Sequence, residues 1–306
     1  MTIGIISLFI ANFVGGAIIP LFVKLGVGEM PPVLFTVLRF SIAFLILLPI
    51  YLKHQSLKIN RQNFKWIFIT SIFFTINVGL YSIGIQYTNV IISQILYAFV
   101  PVIVAFLGHF LLKERITKHE AIGSAVAFLG LVFLISQSFG EQITFGRPLG
   151  NIIIMVGVIS WSFYIILSRK ITNSSSRVSM TLSNFLIAAV MLSILLPFEY
   201  KIRPFSLSEI SSLGIISVLI VAVASVAFIN LLQVGIKRTD AFIASLFSYI
   251  GPLSASITAV PFLGEKITLN LILGGILIIF GVFYAVSYLQ LKKYFISKYG
   301  LSKRTS

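Results

Sequence analysis

The chain has 306 residues, of which 58% are hydrophobic and 10% charged, and it contains no cysteine. Soluble domains carry about 25% charged residues, so this composition indicates a surface that faces lipid, and the lack of cysteine excludes disulfides, thiolate metal sites and cysteine nucleophiles. The formal net charge of +15 would suit a nucleic-acid partner. However, the basic residues stand singly or in pairs between long apolar runs, which favours a polytopic membrane protein and no nucleic-acid partner.

Ten stretches of the chain are long and apolar enough to cross a bilayer, which takes about 20 mostly apolar residues. The first begins at Ile3 without a basic segment or a small-residue cleavage site, so we interpret it as a span and not as a signal peptide. The connections are short and polar, which leaves no room for an inserted soluble domain. The predicted spans cover residues 3–23, 31–52, 65–85, 90–112, 119–138, 148–168, 177–198, 210–235, 241–262 and 269–291.

Residues 84–133 and 235–284 carry the same pattern and align without a gap at a constant shift of 151 positions (235 minus 84). Matches among Pro, Glu, Thr and Gly indicate a duplication, because matches among Ile and Leu alone would be uninformative in so apolar a chain. The chain is therefore predicted to consist of two five-span repeats, 1–140 and 146–292, and a basic cytoplasmic tail, 293–306. The matched pairs include Gly84/Gly235, Thr88/Thr239, Pro101/Pro252, Leu112/Leu263, Glu114/Glu265, Ile116/Ile267, Thr117/Thr268, Gly123/Gly274 and Gly130/Gly281.

The distribution of basic residues predicts the orientation. With the N-terminus inside, the inner loops and the tail hold 17 of the 23 Lys and Arg residues and the outer loops hold five, while Arg39 lies within a span. Cytoplasmic loops carry the excess of Lys and Arg, so both termini are predicted to be cytoplasmic in a multi-pass protein of the cytoplasmic (inner) membrane. Because five is odd, the two repeats then cross the membrane in opposite directions. Many secondary transporters share this arrangement and bind substrate near the midplane between the repeats.

Several motifs resemble those of a known family. These are the prolines of the fourth and ninth spans, Pro101 and Pro252, the Leu-x-Glu-x-Ile-Thr turns at 112–117 and 263–268, and Arg39-Phe40 in the second span. The chain resembles the EamA-domain family of the drug/metabolite transporter superfamily, in particular its bacterial-type exporters with two tandem EamA domains. The resemblance implies an all-α membrane protein with ten transmembrane helices, arranged as two inverted five-helix repeats around a central cavity, that exports or exchanges small metabolites. One departure is Gly15-Gly16, where the family often has an aromatic-glycine pair.

Polar and aromatic side chains near the middle of the spans are candidates for lining a substrate cavity. Unpaired amides are costly in hydrocarbon and therefore seek protein or water, and amides among aromatics suit a mostly apolar site with a few polar fixing groups. Each of these residues also suits an interhelical hydrogen bond, and that alternative stays open. The candidates are Asn12, Asn77, Tyr81, Gln94, Tyr97, Trp161, Tyr164, Asn230 and Tyr249.

Arg39 lies well inside the second span, at a depth where a charge costs at least about 2.5–3.5 kcal/mol and usually faces a partner or a wet cavity. It either attracts a carboxylate or phosphate of the substrate or ties helices together through backbone carbonyls. The eight acidic residues all fall in loops or at helix ends. A carboxylate proton relay and capture of a multiply charged cation are therefore not expected, which favours a neutral, zwitterionic or anionic solute moved by facilitated diffusion, exchange or weakly coupled export.

Three local features have structural interpretations, and the first of them also has a functional one. Pro101 and Pro252 each remove a backbone hydrogen bond and predict either a flexing point for gating or a static kink. Thr117 with Glu120 fits a capping box. The pairs Gly123/Ala127 and Gly281/Ala285 allow close helix contact, within one chain or in a homodimer.

These observations predict a secondary transporter that works by alternating access, with the lipid bilayer and a small-molecule substrate as partners and either a monomer or a homodimer as its assembly. A channel-like facilitative permease is the alternative, and an intramembrane enzyme is a weaker one. The chain has no Gly-x-x-x-x-Gly-Lys-Ser/Thr phosphate loop, so pumping driven by ATP is not supported. Its three histidines have no buried carboxylate partner in sequence, so neither a zinc site nor a Ser-His-Asp triad is predicted, and no cofactor is expected.

Overall fold

A computed structural model describes residues 2–53, 61–114, 116–136, 147–172, 176–206, 210–263 and 269–299. Within these ranges the regular structure is helical and no strand is found. This agrees with a chain that crosses hydrocarbon, where a helix satisfies its own backbone hydrogen bonds.

The first half of the chain places a helix at each of its predicted spans. The fourth predicted span is not one continuous helix but a series of three helical segments. In chain order, the elements are α1 (Thr2–Glu29), α2 (Pro32–Lys53), α3 (Arg61–Gly84), α4 (Val90–Tyr97), α5 (Val100–Leu107), a π-helical segment (Gly108–Leu112) and α6 (Lys118–Ser136).

The second half repeats this order. Its second span is bent between two helices, and its fourth is again divided into three segments. The elements are α7 (Pro148–Ile171), α8 (Arg177–Ser193), α9 (Leu196–Ile202), α10 (Ser212–Arg238), α11 (Ala241–Leu246), a 3-10 segment (Phe247–Tyr249), α12 (Ile250–Leu263) and α13 (Leu269–Tyr299). Helix α13 continues into the segment that the sequence predicts as a tail.

The helices indicate a multi-pass membrane protein. Among the described residues, seven helices are long and apolar enough to cross a membrane, or eight if α8 and α9, which are bent by 46°, form one span. A further apolar stretch, Ile272–Ser287, lies within α13. The count of ten spans therefore stays a prediction, although each predicted span coincides with helical structure.

Both prolines of the repeated motif lie next to an interruption of their span. Helix α4 ends at Tyr97, and Pro101 lies in the first turn of α5, where proline's missing N–H group would have no partner within the helix. Similarly, the 3-10 segment precedes α12, and Pro252 lies in the first turn of that helix. Each proline thus lies in the first turn of a helical segment, while the residues that flank the interruption keep right-handed helical dihedrals. The role of the two prolines, as flexing points or as static kinks, stays a prediction.

The packing of the helices follows the internal repeat. Helix α1 packs along α10 and α3 along α7, while α2 packs against α8 and α6 against α13. In the order of spans, α1 corresponds to α7 and α3 to α10. An operation that exchanges the two halves therefore turns the α1–α10 pair into the α7–α3 pair. The other two pairs each join corresponding helices. This pairing is the one that a two-fold rotation between the halves would produce.

Glycines bring α6 and α13 into direct backbone contact. A Cβ atom on Gly123 would lie 2.5 Å from the carbonyl oxygen of Gly281, and one on Gly130 would lie 2.9 Å from that of Gly274. The two helices run antiparallel, since the earlier glycine of one meets the later glycine of the other. The predicted contact between small residues is therefore confirmed, and it is made within the chain.

Helices α2 and α8, which also correspond by span order, are antiparallel too. Val33 near the start of α2 packs with Leu192 near the end of α8, and the ring centroids of Phe40 and Phe185 are 5.4 Å apart.

The capping box at the start of α6 is confirmed. The backbone N–H of Thr117 donates to Oε2 of Glu120 at 2.6 Å, and the backbone N–H of Glu120 donates to Oγ1 of Thr117 at 3.3 Å. The corresponding Thr268 lies outside the described residues.

Substitution of Gly281 tests the contact between α6 and α13. A Cβ atom there would lie 2.4 Å from the backbone nitrogen of Ala127, so we expect Gly281→Ala to destabilise the protein by about 1–3 kcal/mol, the usual cost of overpacking. Gly28→Ala is the matched control, because a Cβ atom on that helical glycine meets nothing within 4 Å and alanine favours a helix. Thermal unfolding in detergent measures both variants. Equal stability of the two would contradict the close packing.

Candidate functional site

A central cavity lies between helices from both halves of the chain. It encloses about 790 Å³ of space between atoms, a figure that includes its open mouth. Its walls come from α1, α2, α3, α4, α7 and α10 and from the interruption that precedes α12. Both halves of the repeat therefore contribute to one site.

The structure brings seven of the ten predicted binding residues together in the lining of this cavity. Most of them are buried residues that project from the middle of their helices. They are Asn12, Arg39, Asn77, Tyr81, Gln94, Tyr97 and Trp161.

The other three predicted binding residues do not line the cavity. The hydroxyl of Tyr164 accepts hydrogen bonds from Asn184 at 3.0 Å and from Gln233 at 2.7 Å, which ties α7 to α8 and α10. Tyr249 lies 3.3 Å from the hydroxyl of Ser124, and Asn230 donates to the carbonyl oxygen of Val226 in its own helix. Tyr164 and Tyr249 thus make interhelical contacts, the alternative that the sequence left open, whereas the bond of Asn230 stays within its own helix.

The cavity also has lining residues that sequence reasoning missed. The rings of Phe74 and Phe228 lie on either side of Trp161, with centroids 6.5 Å and 6.0 Å from it, and together the three form an aromatic wall. Ser225 and Ser248 add two hydroxyls. Phenylalanine and serine are frequent throughout the spans, so no sequence signal separates these residues from the lipid-facing ones.

Gly15 and Gly16 allow α1 to approach its neighbours at the cavity. A Cβ atom on Gly15 would lie 2.6 Å from the ring of Phe228, and one on Gly16 would lie 2.6 Å from the Cα of Gly251. The glycine pair that departs from the family pattern thus shapes the wall between α1, α10 and α12.

Two tyrosines of the lining are held by hydrogen bonds. The amide of Asn77 donates to the hydroxyl of Tyr97 and, at 2.8 Å, to the carbonyl oxygen of Gly157. The hydroxyl of Tyr81 lies 3.2 Å from that of Ser93, and the two tyrosine rings meet edge to face with centroids 5.7 Å apart. This side of the cavity therefore has fixed geometry.

Arg39 provides a positive charge that no residue of the cavity neutralises. The side chain is only 5% exposed, and its Nε–H finds no acceptor among the described residues. The guanidinium carbon lies 4.3 Å from the centre of the Phe40 ring, a favourable but weak cation–π contact. The lining, as far as the chain is described, contains no Asp or Glu. For the alternative role of Arg39, donation to helix carbonyls, the described residues offer its Nε–H no acceptor.

A second group of charges joins the two halves at one end of the helices. Glu114, which follows the π-helical segment, lies 3.8 Å from Nε of Arg169 near the end of α7. Arg169 also donates to the carbonyl oxygen of Ile236 near the end of α10 at 3.0 Å, and the backbone N–H of Ala241 donates to Glu114. Burial raises the pKa of Glu114; the nearby carboxylates of Asp240 and Glu120 also raise it, while Arg169 opposes the change.

Two further contacts hold the opposite end. Lys24 near the end of α1 donates to the carbonyl oxygens of Ile85 at 2.6 Å and Thr88 at 2.7 Å, just beyond the end of α3. The carboxylate of Glu199 accepts the backbone N–H groups of Val33 and Leu34 at 2.8 and 2.9 Å. A carboxylate from the second half thus caps a helix of the first half, where the positive end of the helix dipole favours it.

The profile of the EamA-like transporter family matches residues 2–136 and 148–287. The two matches fall on the two halves whose helices pair around the cavity. The chain belongs to the EamA-like transporter family. It is therefore a membrane transporter by family, and the resemblance drawn from Pro101, Pro252 and the Leu-x-Glu-x-Ile-Thr turns is confirmed.

Full-length relatives of this EamA-family chain carry transporter names. It is 29% identical over 283 residues to the uncharacterized transporter YyaM of Bacillus subtilis, covering 89% of this chain and 90% of the relative. It is 25% identical to the uncharacterized transporter YoaV of the same organism, covering 85% and 89%. An uncharacterized transporter of Archaeoglobus fulgidus is 22% identical, covering 86% and 92%.

A solved crystal structure shares the fold of this EamA-family chain. The two superimpose with a TM-score of 0.73 over 93% of this chain and 96% of the other, at 18% identity. At this identity the likeness shows the fold alone.

The raised pKa of Glu114 predicts how stability depends on pH. Because the folded state holds this proton more tightly than the unfolded chain, ionisation of Glu114 costs stability. We compare the melting temperature of the wild type with that of Glu114→Gln at each pH. The wild type is expected to be most stable relative to the variant at a pH below the usual pKa of glutamate, and this advantage falls as pH rises through the raised pKa of Glu114. Thermal unfolding in nanodiscs from about pH 4 to about pH 8 measures this difference.

Glu29→Gln, which removes an exposed carboxylate at the end of α1, is the control for a change in net charge. A difference between wild type and Glu114→Gln that increases with pH would contradict the burial of Glu114.

Proposed function

We propose that this EamA-family protein carries a small organic metabolite across the cytoplasmic membrane by alternating access, as an exporter or an exchanger. The observation that carries the proposal is the central cavity, whose lining comes from both halves of an internally repeated chain. A site between two related halves is the arrangement in which rocking of one helix bundle against another exposes the substrate to each side in turn.

The antiparallel contacts support ten transmembrane helices in two inverted five-helix repeats. Helix α2 runs antiparallel to α8, and α6 to α13, and in each pair the two helices correspond by span order. A two-fold rotation that exchanges two antiparallel helices has its axis perpendicular to both helices. For helices that cross a bilayer, this axis lies in the membrane plane.

The position of the cavity supports a conformation that is open towards the outside. With the N-terminus in the cytoplasm, Arg39 lies in the outer half of α2 and Asn77 in the outer half of α3. The Glu114–Arg169 contact then lies at the cytoplasmic ends of the helices and closes that side between the halves. Access from the cytoplasm requires this contact to break.

The interrupted spans offer the places where the bundles can bend. The breaks before Pro101 and Pro252 lie beside the cavity, because Tyr97 and Ser248 are lining residues. Hinges are commonly a few residues at the ends of helical segments. We therefore assign the two prolines to the gating movement.

Countertransport in proteoliposomes tests the proposal. Metabolites that raise the melting temperature of the purified protein, as ligands of the folded state do, are loaded inside the vesicles, and uptake of the labelled compound is measured without an ion gradient. A carrier is expected to take up label faster when the same compound is present inside. Equal uptake with and without internal compound, or single-channel current steps, would contradict alternating access.

Two asparagines provide a matched pair for placing the site. Asn12 and Asn230 each donate to the carbonyl oxygen four residues earlier, but only Asn12 lines the cavity. Asn12→Ala is expected to reduce both the thermal shift and the countertransport, while Asn230→Ala keeps them. If the two variants behave alike, the cavity is not the substrate site.

A further inference from the structure

The central cavity has one N–H group of a charged side chain and two hydroxyls that find no hydrogen-bond partner among the described residues. Arg39 is buried with a free Nε–H, and the hydroxyls of Ser225 and Ser248 also lack a hydrogen-bond partner among the described residues. Arg39 comes from the first half of the chain and the two serines from the second. Buried polar groups normally have a hydrogen-bond partner, and a group left without one costs free energy. These three groups are therefore suited to hydrogen-bonding a molecule bound in the cavity.

The positive charge of the cavity favours a bound molecule that carries a negative charge. Arg39 is the one charged residue in the described lining, and an isolated charge away from water is costly unless it is paired. One monoanionic group on the substrate would neutralise the site. A phosphate dianion would leave a negative charge, and a cation would add to the positive one.

A zwitterion fits this cavity less well than an anion. Its carboxylate could pair with Arg39, but its ammonium group would then need an acceptor of its own. The described lining has no carboxylate to accept it. An acid without an amino group leaves no such charge behind.

The rest of the lining indicates the body of the substrate. Phe74, Trp161 and Phe228 form a continuous aromatic wall, and Trp161 is 7% exposed. Such a wall favours an apolar or aromatic substituent through burial and ring packing.

We propose that the substrate is a small organic monocarboxylate with an apolar or aromatic body, whose carboxylate binds the guanidinium of Arg39. The planar fork of an arginine suits a carboxylate, the aromatic wall receives the body, and the hydroxyls of Ser225 and Ser248 receive a further polar group of the molecule where it has one. The proposal names the substrate class of the transporter proposed above and rests on that function.

A series of small probes on the wild-type chain tests the class. Binding of 3-phenylpropionate, its amide, the corresponding amine and phenylalanine is measured by thermal shift in nanodiscs, with 4-methylpentanoate as an aliphatic acid. Both acids are expected to raise the melting temperature, while the amide and the amine leave it unchanged. No shift with either acid overturns the assignment, and so does a larger shift with phenylalanine than with 3-phenylpropionate.

Variants of Arg39 place the carboxylate. Arg39→Gln is expected to weaken acid binding by about tenfold or more, and Arg39→Lys, which keeps the charge but loses the fork, by less. Asn230→Ala, outside the cavity, keeps acid binding. If Arg39→Gln binds the acids as the wild type does, the role of Arg39 is wrong.

The probes on the wild-type chain keep the proposal testable if the Arg39 variants fail to fold. The comparison of 3-phenylpropionate with its amide and its amine measures the charge preference of the cavity without any substitution.

Countertransport of the same probes separates this proposal from the function on which it rests. Acids that bind and show countertransport support both. If the acids bind but are not transported, the carrier function fails while the site stands. If transport is seen only for neutral or zwitterionic compounds, the carrier function stands and the substrate class is wrong.

Discussion

A backbone that crosses hydrocarbon has to satisfy its N–H and C=O groups within the protein, and this constraint organises the whole molecule. Continuous helices meet it directly. Irregular backbone is tolerated at membrane depth only where protein or a water-filled cavity surrounds it. The two interruptions, between α4 and α5 and before α12, are found beside the central cavity. Irregular backbone at these two places is therefore compatible with a membrane-spanning chain, while the bend between α8 and α9 and the π-helical segment lie outside the cavity lining.

The same constraint leaves little driving force for helix association, since lipid is as apolar as the side chains. Close packing through small residues takes its place. Gly123 and Gly281 let α6 and α13 touch through their backbones, and Gly15 and Gly16 do the same for α1 beside the cavity. At the ends of the helices, Glu114 and Glu199 each accept backbone N–H groups of a helix that belongs to the other half.

Much of the fold could be predicted from the sequence, because the length of an apolar run is a direct consequence of bilayer thickness. The predicted starts at 90, 148, 177 and 241 are the observed helix starts. The breaks in the fourth and ninth spans were predicted only as kinks. Proline marks a missing hydrogen bond but does not say whether the helix bends or stops.

The candidate site was harder to predict because helical sequence gives a side chain's position along a span but not its partner. Tyr164 and Tyr97 look alike in sequence, yet the partners of Tyr164 are Asn184 and Gln233 on other helices. The charge environment of Glu114 depends on Asp240 in the other half. Such contacts between distant segments are not encoded in any local pattern.

The proposed transport depends on one cavity that is exposed in turn to the two sides of the membrane. The chain has no cysteine, so a maleimide can label an Asn12→Cys variant only at the cavity. Asn230→Cys, outside the cavity lining, is the control. We predict that an impermeant maleimide labels Asn12→Cys from the outside, and that Arg169→Ala, which removes the contact with Glu114, shifts this labelling to the cytoplasmic side. Labelling from the outside alone with Arg169→Ala, or an Asn12→Cys variant that is labelled from neither side, would contradict exposure of the cavity in turn.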